Sequence, residues 1–170
     1  MIRALLLVLA LMSLGCSALP KAERTPFNAV SVVERREVQV LLEQLYRSFN
    51  YGAGQEPDWR LMRESFVDGA QFVPEPGSGE PLRSYDVDAL IAKWRSSMRD
   101  DPSANHGYSE WIAGTSVEKV GEFLRVDVVF YGKEPGDSHA RKPGMDSLLL
   151  ARVDGGWKVL SFVVHNESKL

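Results

Sequence analysis

His165 is the residue of this sequence best suited to acid–base chemistry, because an imidazole titrates near neutral pH. It lies in phase with alternate residues of the last predicted strand, which are Trp157, Val159, Ser161 and Val163. If that face of the strand lines a cavity, His165 lies at or near its mouth. A general base also needs a group that orients it, and Asp146 or Ser147 on the neighbouring strand could do so. The alternative is a structural histidine that hydrogen-bonds to a neighbour.

Tyr46 and Glu75 are two further candidates for proton transfer. Tyr46 lies one residue from the apolar stripe of the first predicted helix, so its hydroxyl could point into a cavity. The alternative for Tyr46 is core packing with a satisfied hydroxyl. Glu75 stands between Pro74 and Pro76 at the end of the first predicted strand. The stiff backbone there could hold its carboxylate at a cavity rim.

The tryptophans could form an aromatic cage around a ligand. There are four of them: Trp59, Trp94, Trp111 and Trp157. At helix and strand spacing, aromatic residues are also ordinary core residues, so the alternative is plain packing.

Several kinds of site have no sequence support. The histidines, His106, His139 and His165, are scattered, and no His-x-His or Cys-x-x-Cys pattern occurs, so no metal site is predicted. The chain has neither a glycine-rich phosphate loop after a strand nor a Gly-x-Ser-x-Gly motif, and no cofactor is predicted. With a net charge of -3 and no basic stripe, nucleic acid is not an expected partner.

The position of the single cysteine indicates that the protein is located in the cell envelope. Arg3 precedes an apolar run from Ala4 to Leu14, which suits a signal peptide and is too short to span a bilayer. Ser13-Leu14-Gly15-Cys16 follows and resembles the lipobox of bacterial lipoproteins. We therefore expect a lipoprotein signal over residues 1–15 and a lipidated Cys16. The alternative is a cleaved signal with a chance cysteine.

The residue after the cysteine bears on the choice of membrane. Ser17, rather than an aspartate, follows Cys16. In a Gram-negative cell, that resemblance implies the outer membrane, facing the periplasm. Residues 16–30 are polar and include Pro20 and Pro26, so they read as a flexible tether to the domain at residues 31–170.

Helical signals dominate the first half of that domain. Ser31 and Glu34 have the spacing of a capping box, and an apolar stripe predicts a helix from about Val32 to Phe49. Asp58 and Asp86 are predicted to cap a second and a third helix. Trp59, Met62 and Phe66 would share a face of the second helix; Val87, Leu90, Ile91, Trp94 and Met98 would share one of the third.

Strand signals dominate the second half. A short strand from Ala70 to Val73 follows the turn signal Asp68-Gly69, and four longer segments then alternate. These segments are Tyr108–Val117, Glu122–Tyr131, Met145–Val153 and Trp157–His165, with a long hairpin loop over Gly132–Gly144 and a tight turn at Asp154-Gly155-Gly156. Helices followed by strands predict an α+β domain in which three helices pack on a curved antiparallel sheet.

The residues also resemble a known superfamily. The first helix ending near Asn50-Tyr51-Gly52, the segment Phe66–Phe72, the helix after Tyr85 and the hairpin Val153–Val159 are similar to the nuclear transport factor two-like superfamily, especially its SnoaL-like and ketosteroid-isomerase-like branches. The resemblance covers roughly Ser31 to Ser168. It implies a cone-shaped cavity between sheet and helices, and often a homodimer through the sheet. It does not fix an activity.

The catalytic residues of those branches do not transfer cleanly to this chain. The isomerase tyrosine and aspartates align by hand with Leu45 (Tyr46 is one place off), with Pro74 (or Glu75 through a bulge) and with Leu149. Epoxide hydrolases of the superfamily use an Asp-Arg-Asp set, but Arg125 and Asp127 are predicted to face solvent, opposite the apolar stripe of their strand.

Three functions follow as alternatives. The first is a non-catalytic, membrane-anchored domain that binds a small apolar ligand or an envelope protein. The second is a SnoaL-like enzyme performing acid–base chemistry on a small hydrophobic substrate. The third is a structural subunit that assembles through its sheet. A cavity of several hundred Å³ with two or more convergent titratable groups would favour the enzyme.

Overall fold

The computed structural model describes residues 29–74, 81–100, 106–136 and 143–165. The predicted leader, Cys16, nearly all of the tether, Glu75 and His139 lie outside these residues. Among the helices that are described, none combines the length and apolar character needed to cross a membrane.

The first helix, α1 (Val32–Phe49), begins and ends as its sequence predicts. The Ser31 amide donates to Glu34 Oε2 over 2.8 Å, and the Glu34 amide donates to Ser31 Oγ over 3.1 Å, which completes the capping box. Its buried stripe includes Val38, Leu42 and Leu45, and Tyr46 lies beside it. The helix therefore presents Tyr46 to the interior of the domain.

Two shorter helices follow, and each is capped by the predicted aspartate. Asp58 Oδ1 accepts from the Leu61 amide over 2.9 Å at the start of α2 (Trp59–Glu64). Asp86 accepts from the Ala89 amide over 2.7 Å at the start of α3 (Val87–Asp100). The second helix ends earlier than its apolar pattern suggests, because Phe66 already belongs to the first strand.

The strands form one six-stranded sheet. They are β1 (Phe66–Val73), β2 (Tyr85–Asp86), β3 (Ser109–Val120), β4 (Phe123–Lys133), β5 (Gly144–Val153) and β6 (Gly156–His165), in the order β2-β1-β6-β5-β4-β3. The predicted antiparallel sheet is in fact mixed, because β1 pairs with β6 in parallel. The two strands can run parallel because β2, α3 and the strands β3 to β5 lie between them in the chain.

The turn signal at Asp68-Gly69 marks a bulge inside β1 rather than the start of that strand. The pairing of β1 with β6 shifts register between Phe66 and Gln71. Gly69 has a positive φ of 75°, which glycine adopts at little cost. The dipeptide thus bends a strand that begins four residues earlier than predicted.

The hairpin between β5 and β6 contains both a tight turn and a bulge. Asp154 and Gly155 both have positive φ, 51° and 80°, as a two-residue hairpin turn requires. Further along, Leu149 pairs with Ser161 while Leu150 pairs with Val159, which leaves Leu160 as an extra residue. Beyond this bulge the side chains of β6 exchange faces.

Helices and sheet enclose a single apolar core. Phe162 on β6 stacks on Phe72 of β1, with ring centroids 4.8 Å apart and planes at 12°. Phe49 at the end of α1 makes edge-to-face contacts with two rings, Phe162 of β6 and Trp94 of α3. The aromatic side chains that join the helices to the sheet therefore also form the wall of the interior.

Candidate functional site

A cavity of about 360 Å³ lies between the helices and the concave face of the sheet. Its wall is mainly aromatic. The lining residues are Phe49, Tyr51, Pro57, Trp59, Phe72, Trp94, Ser97, Met98, Tyr108, Glu110, Phe130, Asp146, Phe162 and Val164. An apolar pocket with a few convergent polar groups is the usual form of a small-molecule site.

Asp146 and Tyr46 form the polar centre of this region. Tyr46 comes from α1 and Asp146 from β5, and both are 3% exposed. Tyr46 Oη donates to Asp146 Oδ2 over 2.5 Å, a short bond typical of a hydroxyl facing an ionised acceptor. Asp146 Oδ1 is buried without a hydrogen-bond partner among the described residues. Of the two carboxylate oxygens, Tyr46 thus fixes one, and the described residues give the other no hydrogen bond.

Glu110 on β3 is a second buried carboxyl in the same cavity. The Asn50 side chain makes two hydrogen bonds to the backbone of Glu110. The Glu110 amide donates to Asn50 Oδ1 over 2.6 Å, and Asn50 Nδ2 donates to the Glu110 carbonyl over 3.2 Å. Tyr108 donates a side-chain hydrogen bond to the Glu110 carboxylate. This residue has a defined position and polar support.

Burial changes the acidity of these three groups. Burial raises the pKa of Asp146 to about 7, although the Tyr46 hydrogen bond opposes the increase. Burial, together with the nearby charge of Asp146, raises the pKa of Glu110 to about 8. Burial and the Asp146 charge also raise the pKa of Tyr46, so Tyr46 stays protonated as a donor. Both shifts favour the protonated, neutral forms of the two carboxyls.

Glu110 was not among the candidates from the sequence. The sequence feature that could have identified Glu110 is its spacing from Ile112. Residues two apart in a strand lie on the same face, so Glu110 shares a face with the apolar Ile112. An isolated carboxylate on an apolar face indicates a buried acid. The short alternation around Trp111 made that face ambiguous before the sheet was known.

The structure separates the four tryptophans. Trp59 and Trp94 line the cavity, with ring centroids 5.8 Å apart. Trp111 is 44% exposed on the edge strand, where it stacks on Tyr131. Trp157 is buried in the core at the start of β6, away from the cavity, and Arg152 packs over its ring. The four tryptophans therefore do not form one cage, because Trp59 and Trp94 line this cavity whereas Trp111 lines a groove between α1 and β3.

His165 lies on the opposite face of the sheet from the cavity, contrary to the prediction. The bulge at Leu160 brings Phe162 and Val164 to the cavity and turns Val163 and His165 away. His165 Nε2 lies 3.2 Å from Ser147 Oγ, which in turn donates to Asp127 Oδ1 over 2.8 Å. Ser147 is thus the predicted neighbour of His165, but outside the cavity.

None of the three positions from the hand alignment of the isomerase residues lines the cavity. Leu45 is a fully buried core residue, and Tyr46 beside it is buried and reaches Asp146 through its hydroxyl. Leu149 pairs with Arg125 on the sheet and does not line the cavity, whereas Asp146 does. Pro74 also does not line the cavity, and Glu75 is outside the described residues.

Arg125 and Asp127 face away from the cavity, as predicted from the alternation of β4. Arg125 pairs with Glu118 over 2.7 Å and is exposed. Leu124, Val126 and Val128 on the other face are fully buried. In the described part of the chain, no cluster of three or more histidine, cysteine, aspartate or glutamate side chains is arranged to hold a metal ion.

Solved structures identify the fold. The chain superposes on a cystatin-like-fold protein of unknown function from Nostoc punctiforme with a TM-score of 0.62 and 8% identity, covering 82% of this chain and 96% of that one. An NTF2-like protein of unknown function from Pseudomonas putida gives 0.61 and 13%, covering 81% and 89%. The domain has the NTF2-like fold. A Streptomyces protein superposes on it with a TM-score of 0.57 and 19% identity, covering 81% and 93%.

At these identities the NTF2-like neighbours establish architecture alone. No protein-family model and no curated protein sequence matches the chain. The function must therefore be argued from the cavity of this NTF2-like domain and its own side chains.

Proposed function

We propose that the NTF2-like domain binds a small, mostly apolar molecule whose single polar end meets Asp146 and Glu110. The observation that carries this proposal is the unpartnered Oδ1 of a buried aspartate at an aromatic cavity. A buried polar atom without a partner is costly, and a ligand that supplies the missing hydrogen bond recovers that cost. The aromatic wall supplies apolar contact area for the rest of the ligand.

Val164→Phe tests the binding site, because Val164 lines the cavity and the larger ring would occupy ligand space. We expect the variant to lose at least tenfold in affinity for 2-naphthol, a bicyclic probe with one hydroxyl. Binding would be followed by the fluorescence of Trp59 and Trp94, which lie in the cavity wall.

The matched control is Val163→Phe, because Val163 points to the other face of the same strand. It should bind 2-naphthol like the unmodified protein. Equal affinity in all three proteins, or binding that both variants weaken equally, would contradict a site in this cavity.

A second candidate function is acid–base catalysis on a ligand in the same cavity. The specific observation is that the pKa values of Asp146 and Glu110, about 7 and about 8, lie near neutral pH. An ionised Asp146 can accept a proton at Oδ1 while a protonated Glu110 can donate one. Tyr46, bonded to Oδ2, would fix the orientation of the base.

This candidate predicts catalysed exchange of a carbon-bound proton. Small cyclic ketones in D₂O should gain deuterium next to the carbonyl faster with the protein than without it. The rate should rise with pH as Asp146 ionises near pH 7 and fall as Glu110 loses its proton above pH 8. Mass spectrometry measures the incorporation.

Asp146→Asn removes the proposed base with little change in shape and should abolish that exchange. Asp127→Asn, on the opposite face of the sheet, should retain it. Exchange no faster than in buffer across a range of cyclic ketones, or full exchange in Asp146→Asn, would leave binding as the function.

We also propose that a lipid on Cys16 holds this domain at a bacterial envelope membrane. The proposal rests on Ser13-Leu14-Gly15-Cys16 directly after a short apolar run. Several acyl chains on one residue give stable attachment, and residues 16–30 would give the domain reach above the surface.

Changing Cys16→Ala should move the protein from the membrane fraction to the soluble fraction of the cell that makes it. The fractions would be compared by immunoblot, with Ser17→Ala as the variant that keeps the anchor. Continued sedimentation of Cys16→Ala with membranes at high salt would contradict the lipid anchor.

A further inference from the structure

The charges that line the cavity are all of one kind. Asp146 and Glu110 are its acidic residues, and none of its described lining residues is Lys, Arg or His. Arg95 packs over Trp59 at 5.7 Å from the surface side and pairs with Glu56. Arg35 and Arg47 line a neighbouring groove between α1 and β3, which shares Glu110 with the cavity. Within the described part of the chain, the charged side chains that line the cavity itself are therefore both acidic.

Among the described residues, the side chains packed around Asp146 are acidic, phenolic or apolar. Tyr46 faces it from α1, and Glu110 from β3. Its neighbours across the sheet are Val128 on β4 and Val164 on β6, both apolar. Of the described residues that line the cavity, Tyr51 and Tyr108 are the other titratable groups. Two carboxyls thus share a poorly solvated space and disfavour each other's ionisation.

Aromatic faces complete the arrangement. Trp59 and Trp94 of α2 and α3, with Phe49 between them and the sheet, form one side of the cavity. The negative face of an aromatic ring attracts an organic cation, most strongly for tryptophan. A neutral ligand could satisfy Asp146 Oδ1, but it would leave the ionisation of the two acids disfavoured.

We propose that the ligand of this cavity is a small primary or secondary amine bound as its ammonium ion. Its N–H groups donate to Asp146 Oδ1 and to Glu110, and its apolar body lies against the tryptophan wall. The inference rests on the proposed binding function and names the chemical class of its ligand. Binding involves no covalent step. The carboxyls release their protons to the solvent, and the positive charge of the ammonium ion takes the place of those protons.

Matched probes separate this class from others. 2-Phenylethylamine and 1-naphthylmethylamine would each be compared with the alcohol of the same skeleton, and with phenylacetate as an anion. At pH 8 we expect each amine to bind about tenfold more tightly than its alcohol, because charge-assisted hydrogen bonds are roughly twice as strong as neutral ones. Phenylacetate should not bind.

The pH dependence has a definite sign. Because the cation requires ionised acids, amine affinity should rise between pH 6 and pH 8.5, and binding should release protons into the buffer. Calorimetry in two buffers of different ionisation enthalpy measures that release. Glu110→Gln and Asp146→Asn should each reduce the preference for amine over alcohol, whereas Asp127→Asn should not.

The outcomes distinguish this inference from the function on which it rests. Alcohols that bind as tightly as amines, without proton release and with loss in Val164→Phe, would overturn the amine and keep the binding site. If neither amines nor alcohols bind and 2-naphthol also fails, the binding function itself is overturned. Circular dichroism of Glu110→Gln and Asp146→Asn shows whether a lost preference reflects the charge or the fold.

Discussion

The free energy of unfolding of the described domain is expected to fall by roughly 2–3 kcal/mol between pH 5 and pH 8 because of Asp146 alone. Folding raises the pKa of this carboxyl from 3.8 to about 7, so the folded state binds more protons than the unfolded state between those values. The stabilising contribution of protonated Asp146 is therefore fully present below pH 4 and is lost as the pH rises toward 7. Glu110, with a pKa raised to about 8, acts in the same direction.

Urea denaturation at a series of pH values measures this slope. The double variant Glu110→Gln with Asp146→Asn should be nearly insensitive to pH over the same range and more stable than the unmodified protein at pH 8. Glu34 has a lowered pKa, because the Ser31 amide and hydroxyl stabilise its charge. Glu34 therefore contributes stability that is lost as the pH falls below 4.5, which is opposite in sign to the effect of Asp146 and lies outside the measured pH range.

The control for this prediction is Asp127→Asn on the outer face of the sheet, where Asp127 accepts from Ser147. It should retain the pH slope of the unmodified protein. If the double variant and the unmodified protein showed the same slope, the two carboxyls could not be buried in the folded state as described.

Replacing Phe162 with alanine is expected to cost about 3–5 kcal/mol of stability. Phe162 is 2% exposed, stacks on Phe72 and also contacts Phe49 and Phe66. Its loss leaves a hole where β1, β6 and α1 meet, next to the ligand cavity. Urea denaturation at pH 5.5, where the buried acids are mainly protonated, would measure the change.

Val163→Ala is the matched comparison, since Val163 is the next residue and faces the other side of the sheet. Its cost should be below about 1.5 kcal/mol, because the side chain is only half-buried and leaves no interior cavity. A larger loss in Val163→Ala than in Phe162→Ala would restore the uninterrupted alternation that the sequence suggests and would place His165 at the cavity.

The local features of the fold were accessible from sequence. Ser31 with Glu34, Asp58 and Asp86 mark helix starts, because each supplies a side-chain acceptor to amides that have no partner within the first turn. Asp154-Gly155 marks a hairpin because both residues tolerate positive φ. Each of these signals acts between residues at most four apart in the chain.

The resemblance to the nuclear transport factor two-like superfamily also gave the correct architecture, and solved structures agree. It did not give the parallel pairing of β1 with β6 or the residues of the site. Those depend on which distant segments meet, and degenerate family motifs contain little of that information.

Sequence alone thus determined where the helices begin, where the hairpin between β5 and β6 turns, and that an apolar interior would form. Only the tertiary structure decided which side chains share that interior. Leu160 and Phe162 are both apolar, so nothing local shows that the strand bulges at Leu160 and reverses its faces, which excludes His165 and admits Val164. Tyr46 and Asp146 are 100 residues apart and meet over 2.5 Å because α1 packs across a sheet whose strand order is set by non-local pairing.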